Sequence, residues 1–175
     1  GNSVTPFLRF WERLSLNPSY RSVNQLWTFL QNSDIAIRED GFILAYKSVR
    51  QNYYDHHSST FKNQIGATIV MPRNKVSDDP DVPCHEGLHV GSIEYVSGFG
   101  SFSDRRIIVC AVDPADVVCV PKDSSFQKVR TCKYVVVGHY GDTILPPVVP
   151  VEDAYHETEL VIIDGDMDDL ESDLQ

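Results

Sequence analysis

Apolar residues near the start of the chain recur with the period of an α-helix. Four of them are spaced i, i+3, i+4 and i+7, as on one helix face: Phe7, Phe10, Trp11 and Leu14. The same spacing returns after Pro18 and reaches Leu30. The pattern predicts two short helices, over residues 5–16 and 18–32, which pack together and bury both tryptophans of the chain.

From Ile35 onward, apolar and polar residues alternate, which indicates β-strands. Asp40-Gly41 is a typical hairpin turn, and the strand that follows it covers residues 42–49. The other predicted strands are 35–37, 67–71, 88–92, 105–112, 116–120 and 130–138, with a brief helix at 93–99 and an added edge strand within 159–164. The predicted fold class is therefore α+β, with two N-terminal helices packed on a mostly antiparallel sheet.

The excess of negative charge lies at the end of the chain. Of the 175 residues, those from 1 to 151 contain 15 acids and 15 bases, whereas ten acids and no bases follow from Glu152. A neutral body with an acidic tail is not typical of a protein that binds nucleic acid directly. We expect the tail to solvate the protein, to contact a basic protein surface, or to imitate DNA.

We predict three segments: the charge distribution marks the acidic tail, and a family resemblance described below implies the bounds of the central domain. Residues 1–16 form an N-terminal helix that begins with GNS, which is typical of a cloning scar; residues 17–140 form an α+β domain; residues 141–175 form a proline-containing acidic tail. No run of about 18 apolar residues predicts a transmembrane segment. No secretion signal opens the chain, so its four cysteines are predicted to be reduced thiols in a cytoplasm.

One short motif raises the question of a metal. Residues 85–89 read HEGLH, a match to the zinc-protease pattern, which works only on a helix because both histidines must share one face. Gly87 and the prolines just before the motif oppose a helix. We predict no metal or other cofactor, with two less favoured alternatives: a zinc site that uses Cys84, His85 and His89, with Cys132 as a fourth ligand, or an NAD-like nucleotide.

Polar residues gather in two places, at the end of the 42–49 strand and around residues 87–95. Because loops on a rigid sheet commonly carry function, these residues are the candidates for ligand binding: Tyr46, Lys47, Arg50, Asp55, His57, Ser58, Thr60, His89, Ser92 and Tyr95. We expect His57 and His89 to titrate near neutral pH and to act as proton donors or bases. The alternative for each histidine is a hydrogen bond that holds a loop. No catalytic residue is predicted.

Four blocks of the sequence resemble the C-terminal part of the rIIB rapid-lysis protein family of T-even bacteriophages. They are EDGFILAYKSVRQNYYDHHSSTFKN, GLHVGSIEYVSGFG, DPADVVCVPKD and KVRTCKYVVV, at residues 39–63, 87–100, 113–123 and 128–137. The family pattern includes His89 but neither His85 nor Glu86. The resemblance implies a virus-encoded accessory role linked to host exclusion and lysis timing, alongside an rIIA partner, with no established catalysis.

A second resemblance is to ADP-ribosyltransferase-like folds. It is carried by GLHVGSIEY (87–95) and LAYKSV (44–49), which are similar to the strand-helix block and the first NAD-facing strand of those folds. This resemblance implies a split antiparallel sheet and an NAD-like or ADP-ribose-like nucleotide. Transfer chemistry in that group requires a glutamate on a late strand, and residues 102–151 contain none.

Three functions follow as expectations. The first is a phage accessory protein that binds a host or phage protein and modulates host defence, exclusion or takeover. The second is binding or processing of an NAD-like or ADP-ribose-like nucleotide. The third is inhibition by DNA mimicry through the acidic tail. We lean against an enzyme, and we expect the protein in the host cytoplasm or at the periphery of the inner membrane.

Overall fold

A computed structural model describes residues 4–56, 61–82, 85–98, 105–141 and, for the backbone, 160–162. Two helices open the chain: α1 covers Thr5–Ser15 and α2 covers Tyr20–Asn32. Pro6 lies in the first turn of α1, where its missing N–H costs nothing. The Ser19 side chain caps α2 by accepting a hydrogen bond from the N–H of Ser22. Both predicted helices are confirmed.

The face of α1 that meets the core is narrower than predicted. Phe10 and Leu14 are buried, as are Leu26 and Phe29 of α2. Trp11, however, is 47% exposed, so the prediction that both tryptophans are buried is wrong for this one. Trp11 lies at the edge of the core, where its ring meets that of Trp27 at a centroid distance of 5.2 Å.

Within the described residues, nine strands form one sheet. Their bounds are β1 Ala36–Ile37, β2 Ile43–Arg50, β3 Thr68–Val70, β4 Leu88–Gly91, β5 Arg105–Val112, β6 Val117–Cys119, β7 Lys128–Thr131, β8 Lys133–His139 and β9 Leu160–Ile162. A third helix, α3, covers Ile93–Ser97. The order is β6-β7-β4-β2-β5-β8-β3-β9, and β1 pairs with β2. All described pairs are antiparallel except β3 with β9, so the predicted fold class and the added edge strand are confirmed.

The sheet is nearly divided between β2 and β4. β2 pairs with β5 along its whole length, from Ile43 to Arg50. Within the described residues, its ladder with β4 consists of one pair, Tyr46 with Gly91. One part of the sheet is therefore β6-β7-β4, and the other contains β2, β5, β8, β3 and β9.

The chain passes between these two parts at Cys132. The sequence predicted one strand over residues 130–138, but the structure has two, because the backbone leaves β7 at Thr131 and enters β8 at Lys133. The N–H of Cys132 donates to the carbonyl of Asp116, and its carbonyl accepts from the N–H of Met71. These bonds satisfy the backbone at the bend without glycine or proline.

Helix α2 covers the edge of the sheet at β6. The Ser22 hydroxyl donates to the carbonyl of Val118 at 2.6 Å, and the Gln25 side chain accepts from the N–H of Val120 at 2.9 Å. Side chains of the helix thus satisfy backbone groups that an open edge leaves unpaired. Among the described helices, none combines the length and the apolar character that crossing a bilayer requires.

Candidate functional site

A cleft opens where β2 and β4 diverge. It encloses about 460 Å³, counted with the part that is open to solvent. Residues 46–48 of β2 and 89–91 of β4 form two of its walls, and residues of α3 and β7 complete them. A recess of this kind, between elements of the fold, is a candidate site for a small ligand.

The Lys47 side chain lies on the side of β2 that otherwise faces the hydrophobic core. Ile43, Ala45 and Val49 share that side of the strand and are buried in the core. The Lys47 residue is only 9% exposed, and its Nζ donates to the carbonyl of His89 at 3.3 Å. The ammonium group therefore spans the gap that the divided sheet leaves between β2 and β4.

A buried polar network holds the partner of Lys47 in place. Asp55 is 3% exposed, and its Oδ1 lies 3.7 Å from Lys47 Nζ. The amide of Asn63 donates to the same carboxylate oxygen at 3.2 Å, and the hydroxyl of Tyr134 donates to the Asn63 side-chain oxygen. Asn63 and Tyr134 are both buried. The Asp55 carboxylate is thus fixed by groups that cannot move independently of the core.

A second lysine reaches the cleft from β7. Lys128 is fully buried, its Nζ lies 3.0 Å from Asp123 Oδ2, and it lies 6.0 Å from the centre of the Tyr95 ring. Fully buried lysines are rare unless they are paired. Two lysines that are paired with carboxylates on other segments therefore line one cleft.

His89 faces this cleft in its neutral form, so the expectation that its pKa lies near neutral pH is wrong. Its Nε2 accepts a hydrogen bond from the Arg130 Nε at 3.3 Å, and the ring also bonds the backbone of Gly87. Burial, then the positive charges of Arg130, Lys47 and Lys128, hold the pKa of His89 well below its ordinary value. Two of these cations are paired with carboxylates, Lys47 with Asp55 and Lys128 with Asp123.

His56 and Ser48 form the rim on the opposite side. The Ser48 hydroxyl lies 3.0 Å from His56 Nε2, and both residues line the cleft. Arg50 holds this rim, because its guanidinium donates two hydrogen bonds to the carbonyl of His56. The Arg50 side chain therefore holds the loop in place through the backbone of His56.

Tyrosines flank the cleft. Burial, then the neighbouring Tyr140 and the charges of Asp34 and Glu94, raise the pKa of Tyr46. Tyr95 of α3 packs so closely on Gly91 that a Cβ at that position would lie 2.8 Å from its ring. Ser92 lies behind this wall: it is buried, caps α3 by accepting from the N–H of Tyr95, and donates to Gln127.

The ten predicted ligand residues thus fall into three groups. The cleft itself is lined by four of them: Tyr46, Lys47, His89 and Tyr95. Three support it from behind: Arg50, Asp55 and Ser92. The other three, His57, Ser58 and Thr60, lie outside the described residues. That these residues bind a ligand stays a prediction.

Sequence reasoning missed three polar side chains of the cleft: Ser48, His56 and Lys128. Ser48 and His56 lie beside residues that were chosen. Lys128 lies before the predicted 130–138 strand, and its sequence neighbours do not distinguish a buried lysine from an exposed one. The signal for Lys128 is the register of β7 against β4, which pairs it with Gly91.

The geometry does not favour a metal at HEGLH. Residues 88–91 are a strand, which confirms that the motif is not helical and separates His85 from His89. Within the part of the chain that the structure describes, no three histidine, cysteine or acidic side chains gather as ligands. Cys84 lies outside that part, and Cys132 is buried beside Asp116. The positive charges around His89 also oppose a cation there.

The divided sheet and its lysine-lined cleft define an α+β module with a candidate ligand recess. The family model described as bacteriophage T4 protein rIIB matches residues 4–151. The chain therefore belongs to the rIIB family of bacteriophage proteins, which confirms the resemblance seen in the sequence.

A relative extends this comparison. Protein rIIB of Enterobacteria phage T4 is 45% identical over 137 residues, which cover 78% of this chain and 44% of that protein. The chain thus spans less than half the length of the curated relative it matches. No solved structure matches the chain, so the resemblance to ADP-ribosyltransferase-like folds stays a prediction.

Proposed function

We propose that this rIIB-family chain is an accessory module that binds a host or phage protein and modulates host defence, exclusion or takeover during infection. It acts in the host cytoplasm or at the periphery of the inner membrane. Family membership supports the setting of a phage infection. The observation that carries the binding role is an exposed apolar face on α1.

This face repeats a helical spacing of its own. Val4, Phe7, Leu8 and Trp11 are spaced i, i+3, i+4 and i+7, and each is at least 47% exposed. The same helix buries Phe10 and Leu14 on its inner side, so α1 is apolar on two sides. A helix face of this kind is typical of a surface that receives another protein.

The test is direct binding to a candidate partner. A tagged chain is used to capture proteins from phage-infected cells, and a stoichiometric candidate is then purified and titrated against the chain. Phe7→Ser/Trp11→Ser is expected to weaken this binding at least tenfold, because it removes two central aromatic side chains. Ile65→Ser is the matched control, since Ile65 is a similarly exposed apolar residue away from α1.

Two results would contradict the proposal. One is equal binding by the α1 variant and the Ile65→Ser control. The other is self-association, measured by sedimentation of the purified chain, that the α1 variant abolishes; the face would then join two copies of this chain instead of a partner. Plating of phage on cells that express each variant measures whether the binding modulates infection.

A second candidate function is binding of an NAD-like or ADP-ribose-like nucleotide. It is supported by the cleft at the divided sheet and by its flanking tyrosines, Tyr46 and Tyr95. Calorimetry with NAD, ADP-ribose and cyclic nucleotides is expected to detect binding of at least one of them. Absence of heat with all of them would exclude this function.

DNA mimicry by the acidic tail is a third proposal, carried by charge alone. Its test must spare β9, because residues 160–162 pair with β3. Replacing the six acids between residues 164 and 173 by their amides keeps that strand and removes most of the local charge. If the variant with these six amides inhibits a DNA-binding host protein as strongly as the wild-type chain does, the tail only solvates the protein.

A further inference from the structure

The two buried lysines of the cleft are costly for the fold. Lys47 is 9% exposed and Lys128 is fully buried, and each is paired with a carboxylate. Buried ion pairs seldom stabilise a protein more than apolar residues of the same size. Side chains of this kind that meet in a cleft are therefore candidates for function.

The arrangement around Lys47 goes beyond what closing the gap in the sheet requires. A water molecule or a neutral side chain would satisfy the carbonyl of His89 as well as the ammonium does. Instead, a chain of buried groups runs from Tyr134 through Asn63 to Asp55 and fixes the position of this charge. Such support is typical of a side chain whose position matters to a ligand.

The charge around the cleft selects the sign of that ligand. Three cationic side chains, Lys47, Lys128 and Arg130, lie around the cleft, and two carboxylates, Asp55 and Asp123, pair with the lysines. These cations outnumber the carboxylates by one, so the charge buried around the neutral His89 ring repels a further cation. An anion is therefore favoured, and a lysine ammonium is a common point-charge contact for phosphate.

We propose that this cleft binds a phosphate-bearing small molecule, with the ammonium groups of Lys47 and Lys128 contacting the phosphate oxygens and Tyr46 and Tyr95 flanking the rest of the ligand. This inference rests on the second proposed function, because it uses the same cleft, and it assigns the recognised group and the residues that hold it. It is independent of the protein-binding face on α1.

The experiment is calorimetry at low ionic strength with three probes: inorganic pyrophosphate, ADP-ribose and adenosine. The first two are expected to bind the wild-type chain, and adenosine at least tenfold more weakly than ADP-ribose. Two variants, Lys128→Met and Lys47→Met/Asp55→Asn, are each expected to lower the affinity for pyrophosphate and for ADP-ribose at least tenfold. The double variant removes both charges of the pair, so it does not leave an uncompensated carboxylate in the core.

Lys122→Met is the matched control. Lys122 is an exposed lysine whose carboxylate partner, Asp81, is also exposed. It is expected to change the affinity for pyrophosphate by less than twofold. Equal losses in this control and in Lys128→Met would overturn the assignment, because binding would then follow net charge. Thermal unfolding of each variant verifies that the chain is folded before titration.

The remaining outcomes separate the two proposals. If adenosine binds as tightly as ADP-ribose, the cleft takes a nucleoside and the phosphate assignment is wrong, while the nucleotide function stands. If pyrophosphate alone binds, the phosphate assignment stands and the nucleotide function fails. If no probe binds, both fail, and the α1 proposal is unaffected.

Discussion

The outer face of α1 and the cleft between β2 and β4 depart from the usual rule of burial in opposite directions. On α1, Phe7, Leu8 and Trp11 are about half exposed, although they are large and apolar. In the cleft, Lys47 and Lys128 are buried, although they are charged. Both departures are uncommon in folded proteins. Under the proposals made above, each region recognises something outside the chain, a protein at the first and a small anion at the second.

The largest expected effect separates the two sides of α1. Phe10→Ala removes a fully buried ring and is expected to lower the free energy of unfolding by about 3–5 kcal/mol. Phe7→Ala, three residues away on the exposed face, is expected to lower it by less than about 1 kcal/mol. Urea denaturation measures both. Equal losses would show that Phe7 belongs to the core, and the apolar face would no longer be free for a partner.

The next effect concerns the buried pair in the cleft. Asp55→Ala removes the carboxylate that balances Lys47 and is expected to lower the free energy of unfolding by about 3 kcal/mol. Lys47→Met/Asp55→Asn is expected to recover most of this loss, because no buried charge then remains at the pair. If Asp55→Ala is as stable as the wild type in urea, the pair is not fixed in the way described above.

A smaller effect on the free energy of unfolding is expected at Asp116, a partly buried carboxylate. Burial, then the charge of Asp113, raises the pKa of Asp116 to about 6. Between the unfolded pKa near 4 and this value, the folded chain holds a proton that the unfolded chain has lost, so stability falls as the pH rises. Asp116→Asn is expected to stabilise the chain by about 1–2 kcal/mol at pH 7, once solvent screening is allowed, and not at pH 4.

The measurement for Asp116 is the free energy of unfolding in urea at several pH values from 4 to 7. The difference between the variant and the wild type should grow across this window. A difference that is the same at pH 4 and pH 7 would show that the side chain acts through packing instead of through its charge.

The smallest effect is a change of titration inside the cleft. Lys128 is one of the positive groups that lower the pKa of His89, so Lys128→Met is expected to raise that pKa toward its ordinary value. Nitrogen-15 NMR of the imidazole as a function of pH measures it. An unchanged pKa would mean that Lys128 does not face His89 across the cleft, and the anion site would lose one of its two contacts.

Much of the fold was predictable because local patterns agree with it. The 3.6-residue period placed α1 and α2, and the alternation along residues 42–49 placed β2 to within one residue. The bend at Cys132 was not predictable, because no glycine or proline marks it and the bonds that hold it come from Asp116 and Met71, which are distant in the chain.

The candidate site was predictable only in part, for the same reason. The polar residues of β2 and β4 stand out in the sequence, and the structure brings Tyr46, Lys47, His89 and Tyr95 together. Lys128 joins them through the pairing of β7 with β4, which is a property of the sheet. On α1, two sets of apolar residues satisfy a helical spacing: one starts at Val4 and the other at Phe7. Only packing decides that Phe10 and Leu14 are buried while Val4, Phe7, Leu8 and Trp11 are exposed.

The most direct test of the central claim, that the buried lysines of the cleft hold a phosphate group, is NMR mapping of the labelled chain during titration with pyrophosphate. We expect the amide signals of residues 47–48, 89–91 and 128 to shift together and to saturate, while those of α1 stay in place. Shifts confined to exposed lysines such as Lys75 and Lys122, or no saturation, would contradict the claim.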